Sequence, residues 1–205
     1  SALQRTDEEM HRGRVVSRTI GEICRAASKP SFWSFFLFKL VREFKPLNCL
    51  ELGTSLGISA AYQAAALKLN QVGEMVTLEG AEALASLATE HFQTLGLDNA
   101  SVVTGKFHDT LDQVLNDHAS IDYAFIDGHH DEQATLTYHE KIVPCLSERA
   151  VLVFDDISWS EGMKRAWKVI EADGRTKISF DLFQIGICII DSSTEQKRNY
   201  KIKLI

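Results

Sequence analysis

The chain has 205 residues, is 45% hydrophobic and carries a formal net charge of −6 at pH 7. That is enough apolar material for one substantial core and predicts a single domain over 1–205, while the acidic balance argues against a nucleic-acid backbone or an anionic membrane as partner. No apolar run reaches the roughly 18–20 residues of a spanning helix, and no secretory-type apolar region opens the sequence, so the expected setting is cytoplasmic.

In chain order, residues 1–30 read as a polar amphipathic helix, with Val15, Val16, Ile20, Ile23 and Ala27 near helical spacing and Pro30 as its break. A second, aromatic helix is predicted from about Phe32 to Phe44. Strand and helix signals then alternate. Strands are predicted at Leu47–Leu52, Met75–Leu78, Ser101–Thr104, Tyr123–Ile126 and Val151–Phe154. Helices are predicted at Ser59–Asn70, Ala81–Leu95 (stopped by Gly96), Thr110–His118, Glu132–Leu146 and Ser160–Ala172. Short apolar strands alternating with helices imply a parallel sheet covered on both faces. The strand-like runs Lys177–Phe183, Ile185–Ile190 and Asn199–Ile205 have no helix between them, which calls for at least one antiparallel pair at a sheet edge. The four cysteines, Cys24, Cys49, Cys145 and Cys188, are too scattered for a zinc or disulfide framework.

In a sheet of this kind, ligands bind beyond the carboxyl ends of the strands. Acidic residues close four of the five strands there: Glu51, Glu79, Asp127, and the pair Asp155-Asp156. The first strand runs into Glu51-Leu52-Gly53-Thr54-Ser55-Leu56-Gly57-Ile58-Ser59, a glycine-bearing turn that opens a helix. Such a turn brings backbone N–H groups to a nucleotide-like ligand. Glu51 would repel a pyrophosphate but suits a ligand with a cationic or hydroxyl-rich end. Glu79, 26 positions after Gly53, stands where an acidic residue accepts hydrogen bonds from ribose hydroxyls. The turn lacks the second glycine of a dinucleotide fingerprint, which disfavours a nicotinamide cofactor.

The series ELGTSLGISA, VTLEG, VVTGKF, FIDGHH and VLVFDDI resembles the class I S-adenosylmethionine-dependent methyltransferases. Within that class it is most similar to the small O-methyltransferases of the catechol and caffeoyl-CoA type and their bacterial relatives, over about Phe32 to Ile190. The resemblance implies an α/β fold: a Rossmann-like, doubly wound, seven-stranded sheet (46–205), mostly parallel with an antiparallel edge strand, behind N-terminal cover helices (1–45). It implies that Glu51, Gly53, Thr54, Ser55 and Ser59 hold the methionine end of S-adenosyl-L-methionine, that Glu79 and Gly80 hold the ribose, and that Gly105 and Phe107 lie along the adenine. Core packing is the alternative for Phe107. Asp127 would stand near the cofactor's amino group or a metal. Metal-dependent relatives use two aspartates and an asparagine at the places of Asp127, Asp155 and Asp156, so Mg²⁺ or another divalent cation is the expected ion, with Asp156 capping a turn as the alternative.

His129 and His130 follow Asp127 directly, and an imidazole suits removal of a hydroxyl proton near neutral pH. His130 falls where catechol-type enzymes place a lysine base, which makes His130, with Asp127, the catalytic candidate. The other five histidines, His11, His91, His108, His118 and His139, fall mostly on predicted helix faces and are read as inert. Trp159, Phe32, Trp33, Phe35, Phe36 and Phe38 can wall a substrate pocket, form a homodimer interface, or simply pack. The expected activity is methyl transfer to a hydroxyl of a small, aromatic-type acceptor. Aminopropyl transfer of the spermidine-synthase type and a cofactor-binding protein without turnover are the competing readings.

Overall fold

The structure is a computed structural model that describes residues 2–6, 15–27, 31–118 and 120–203. The chain divides into two compact units, Ser1–Val114 and Leu115–Ile205.

The first unit departs from expectation at its start. Strands β1 (Ala2–Thr6) and β2 (Val15–Thr19) pair antiparallel in the register Ala2↔Thr19 to Thr6↔Val15, and only then does helix α1 (Ile20–Ala27) begin. The expected helix over 1–30 is therefore wrong for 2–6 and 15–19; residues 7–14 and 28–30, with Pro30, lie outside the described residues. The physical reason is local. Val15-Val16-Ser17-Arg18-Thr19 is rich in β-branched residues, which favour a pleated backbone. Thr19 and Glu22 then form a reciprocal N-terminal box: Glu22 Oε2 accepts from the Thr19 amide (2.7 Å) and hydroxyl (2.9 Å), and the Glu22 amide donates to Thr19 Oγ1 at 3.3 Å.

Helix α2 (Ser31–Phe44) buries Trp33, Ser34, Leu37 and Val41 and packs against α3 (Ile58–Asn70). Strands β3 (Asn48–Leu52), β4 (Glu74–Glu79) and β5 (Ala100–Thr104) run parallel in that order, with Glu51 opposite Thr77 and Glu79 opposite Thr104. Leu50, Leu52, Met75 and Leu78 are fully buried, as strands covered on both faces require. Helix α4 (Glu82–Thr94) ends where Gly96 was expected to stop it. Gly96 sits at φ 64°, its amide donates to the Gln93 carbonyl, and the Leu97 amide donates to that of Phe92. Helix α5 (Phe107–Asp117) follows β5.

In the second unit, β6 (Ile121–Ile126) pairs parallel with β7 (Leu146–Phe154). Helix α6 (Glu132–Ile142) and a 3-10 turn (Val143–Cys145) connect them, occupying the span read as one helix to Leu146. After α7 (Glu161–Ala172), β8 (Thr176–Asp181) and β9 (Gly186–Asp191) follow, and β9 runs antiparallel to both β7 and β8. The antiparallel pairing expected among the C-terminal strands is present. The sheet, however, has eight strands rather than seven. The one beyond the seven of the family resemblance is β10 (Arg198–Lys201), a short exposed strand lying parallel to β8 and overlapping the strand-like run read at Asn199–Ile205.

Candidate active site

Each unit carries one polar constellation at its strand ends. In the first, the chain leaves β3 through a turn in which Gly53 (φ 106°), Ser55 (φ 48°) and Gly57 (φ 76°) adopt left-handed backbone. The amides of Gly53 and Thr54 both donate to the Leu78 carbonyl at 3.1 Å, tying the turn to β4. Gly57 is the N-cap of α3 and supplies no side chain to the helix's first amides.

Glu51 is fully buried. Its carboxylate accepts from Ser59 Oγ and Thr77 Oγ1, each at 3.1 Å, and from Gln63 Nε2. Thr54 Oγ1 lies 2.7 Å from Thr77 Oγ1. Because the single hydroxyl hydrogen of Thr77 goes to Glu51, Thr54 is the donor in that pair. Five side chains thus form one buried network beneath the turn. Thr77 and Gln63 were not among the residues expected here. The signal for Thr77 is its place opposite Glu51 in the β3–β4 register, which the sequence alone does not supply.

Glu79 closes β4 and is 4% exposed. Oε2 accepts from the Ser55 amide at 2.7 Å and Oε1 from the Ala81 amide at 2.9 Å, so the carboxylate is fixed by backbone from both sides. Each oxygen keeps a second lone pair for a further donor. Beside it, Ser55 Oγ is buried with no hydrogen-bond partner among the described residues. Gly80 follows Glu79, and the Gly105 amide donates to the Glu79 carbonyl at 2.9 Å. Gly105 has φ 148°, and a Cβ there would come within 2.6 Å of Thr110 Cγ2, so glycine is required. Phe107 is buried, 8% exposed, in the first turn of α5.

The second constellation follows β6 and β7. Asp131 caps α6 by accepting from the Ala134 amide at 3.0 Å, which anchors the far end of the segment 127–131. Within it the His130 amide donates to the Gly128 carbonyl at 2.9 Å, a tight γ-turn around His129 at φ 65°; His130 follows at φ 42°. After β7, Asp156 has φ 51°, and the Trp159 amide closes a turn onto its carbonyl at 2.9 Å. Three non-glycine residues therefore hold left-handed backbone here, a conformation that persists only where surrounding structure enforces it.

The two histidines divide. His129 Nδ1 lies 2.7 Å from the Tyr138 hydroxyl. Burial, reinforced by Asp131, pushes the Tyr138 pKa up to about 12, so the phenol stays protonated beside the His129 ring. His130 instead stands between carboxylates, with Nε2 3.7 Å from Asp127 Oδ1 and Nδ1 3.6 Å from Asp156 Oδ2. Asp127, His130 and buried Asp155 each offer a ligand atom, all within 4.8 Å of one another. The structure thus brings Asp127 and Asp155 together as expected, but groups His130 with them where Asp156 had been placed.

A family profile described as a methyltransferase domain matches residues 50–157, just over half of the chain. The chain belongs to this methyltransferase domain family. It is also 25% identical over 125 residues to a caffeoyl-CoA O-methyltransferase-like protein of Arabidopsis thaliana. That match covers 60% of this chain and about half, 52%, of the relative's length. Among solved structures, an O-methyltransferase from Bacillus cereus in complex with S-adenosylhomocysteine aligns with a TM-score of 0.69 at 25% identity, over 81% of this chain and 83% of that one. An S-adenosylhomocysteine-bound methyltransferase from Podospora anserina aligns with the same TM-score at 17% identity, over 93% and 90% of the two chains, a likeness of fold. The resemblance read from the strand-end motifs is borne out. Among the described residues, no helix is long and apolar enough to cross a membrane.

Proposed function

We propose that the protein transfers the methyl group of S-adenosylmethionine to a hydroxyl of a small acceptor, with an aromatic diol as the first class to test. The observation that carries this reading is the amide-held carboxylate of Glu79 beside the turn after β3. A carboxylate fixed by two backbone donors is oriented in advance, and its remaining lone pairs suit the two hydroxyls of a ribose. The buried, unpartnered Ser55 Oγ adds a donor at the same turn, and α3 begins without a side-chain cap. These residues fit an S-adenosyl ligand. Ser55, Gly53, Thr54 and Ser59 would hold its methionine end, Gly80 and Gly105 would leave room for the nucleoside, and Phe107 would pack along the adenine. Glu51 would act from below, holding Ser59 and Thr77 in place.

Methyl transfer from a sulfonium is an in-line displacement, so the protein must align the acceptor oxygen, exclude water and remove the hydroxyl proton. Asp127 and His130 are the groups assigned to that proton. The Nε2 lone pair of His130 can take it directly or bind a cation, but not both. A divalent cation at Asp127 and Asp155 would supply Lewis acidity, making a bound hydroxyl easier to ionise. The exposed rings of Phe32, Phe35 and Trp159 are assigned to acceptor contact or to a homodimer surface.

The test is turnover of methyl-labelled S-adenosylmethionine against catechol-like acceptors, with and without a chelator. Labelled ether product, lost in EDTA and restored by a divalent cation, is the expected result. Unchanged turnover in chelator would return Asp155 and Asp156 to structural roles. Preference for decarboxylated S-adenosylmethionine would favour aminopropyl transfer, and cofactor binding with no product across the panel would favour a binding protein.

A further inference from the structure

We infer that Ile23 is a positioning residue of the cofactor site: from helix α1 it clamps Leu56 and Ala81, and through them the two backbone amides that hold Glu79. The inference deepens the proposed function and rests on it.

The clamp shows in how α1 is buried. Ile23 is 2% exposed, while its neighbours Gly21, Glu22, Cys24 and Arg25 are all exposed. Ile23 packs into a buried cluster with Leu56, Ala81 and Leu84, and Ile20, Ile58 and Leu87 lie against the same cluster. Leu56 belongs to the turn after β3, Ile58 begins α3, Ala81 is the N-cap of α4, and Leu84 lies in the first turn of α4. The cluster therefore ties α1 to both chain segments that leave the sheet beside Glu79.

Those two segments are the ones that fix the carboxylate. The Ser55 amide donates to Glu79 Oε2 at 2.7 Å, and the Ala81 amide donates to Oε1 at 2.9 Å. Ala81 is itself in the cluster, and Ser55 is bonded directly to Leu56. A shift of either apolar side chain moves a donor. A carboxylate held less firmly must then be ordered by the ligand, and affinity falls by that cost.

The clamp is also separable from the rest of the molecule. An eight-residue helix is marginal on its own in water, so α1 depends on packing for its order. From Gly21 to Arg25 that packing comes from Ile23. A segment with few buried apolar contacts opens at less cost than global unfolding, so α1 can be released while the sheet stays intact. By thermodynamic reciprocity, a clamp that favours cofactor binding is tightened by the bound cofactor.

The test uses the full chain, titrated with S-adenosylhomocysteine by calorimetry as wild type, Ile23→Ala, Glu79→Ala and the double variant, with circular dichroism to check that each is folded. Ile23→Ala should weaken the ligand about tenfold on its own, but about twofold or less when Glu79 is already alanine, because the contact then has nothing to act through. Hydrogen exchange of the α1 amides in the wild type should slow on saturation with the ligand, a response that a contact serving stability alone would not give. If the alanine variant does not fold, Ile23→Val carries the same cycle, with an expected loss of about two- to fourfold for one methylene. Undiminished affinity, a loss that adds in full to that of Glu79→Ala, or α1 exchange unmoved by the ligand would overturn the inference and leave the methyltransferase reading standing. If the wild type does not bind S-adenosylhomocysteine, that reading falls and the inference falls with it.

Discussion

Glu51 and Glu79 both end strands, yet they stand in different surroundings and should fail differently. Glu51 is held by three side-chain donors in the core. Glu51→Gln presents an amide N–H₂ to groups that themselves donate, which should cost about 2–3 kcal/mol of folding free energy in urea denaturation. Glu79 is held by backbone, with acceptor capacity to spare, so its loss should fall mainly on cofactor affinity. Both were legible as strand-end carboxylates. Their division into a carboxylate braced by core side chains and one held by backbone amides was not, because it depends on which donors the strand register and the turn deliver. His139 gives a pH effect. It is 6% exposed, its Nε2 has no hydrogen-bond partner among the described residues, and burial holds its pKa below the usual 6.5, with Asp173 and Glu140 opposing. The unfolded chain therefore takes up this proton at higher pH than the folded one. The contribution is fully present above about pH 6.5 and is lost as pH falls through that value toward the depressed one. The urea midpoint should drop from pH 7.5 to pH 5, and His139→Leu should flatten that drop.

At the scale of elements, the turn between β3 and α3 is the sensitive joint. A Cβ on Gly57 would meet Ala88 Cβ and Phe92 Cε1 at 3.0 Å, and φ 76° is unfavourable for any other residue. Gly57→Ala should cost about 2–4 kcal/mol and also weaken S-adenosylhomocysteine, because Ser55 belongs to the same turn. Equal stability and affinity in that variant would show that the turn tolerates a shift. Helix ends marked by local chemistry, such as the Gly96 stop, could be read from sequence. The Thr19-Ile20-Gly21-Glu22 box was equally readable, and it would have placed the start of α1 after a strand. The helical spacing of Val15, Val16 and Ile20 concealed it, since a few apolar residues fit either period. The eighth strand overlaps the strand-like run read at Asn199–Ile205, but its parallel pairing with β8 could not be read, because Arg198–Lys201 is exposed and leaves no burial pattern.

For the whole molecule, alternation of apolar strands and amphipathic helices made the α/β class legible, because strands buried on both faces are nearly continuous apolar runs. The sequence also predicts one domain, whereas the chain divides into two compact units. A single domain requires urea unfolding followed by tryptophan fluorescence and by far-ultraviolet circular dichroism to coincide in one transition; two separated transitions would show that the units unfold independently. The strand-end acids were legible as candidates, while the loop geometry at His129, His130 and Asp156 could not be read, since left-handed backbone at non-glycine residues leaves little trace in composition. The most direct test of the whole is calorimetric titration of the protein with S-adenosylhomocysteine. Saturable binding at one site per chain, weakened about 10- to 100-fold by Glu79→Ala, is the expected result, matching the loss of hydrogen bonds to a charged group. Absence of binding, or an affinity untouched by removal of that carboxylate, would contradict it.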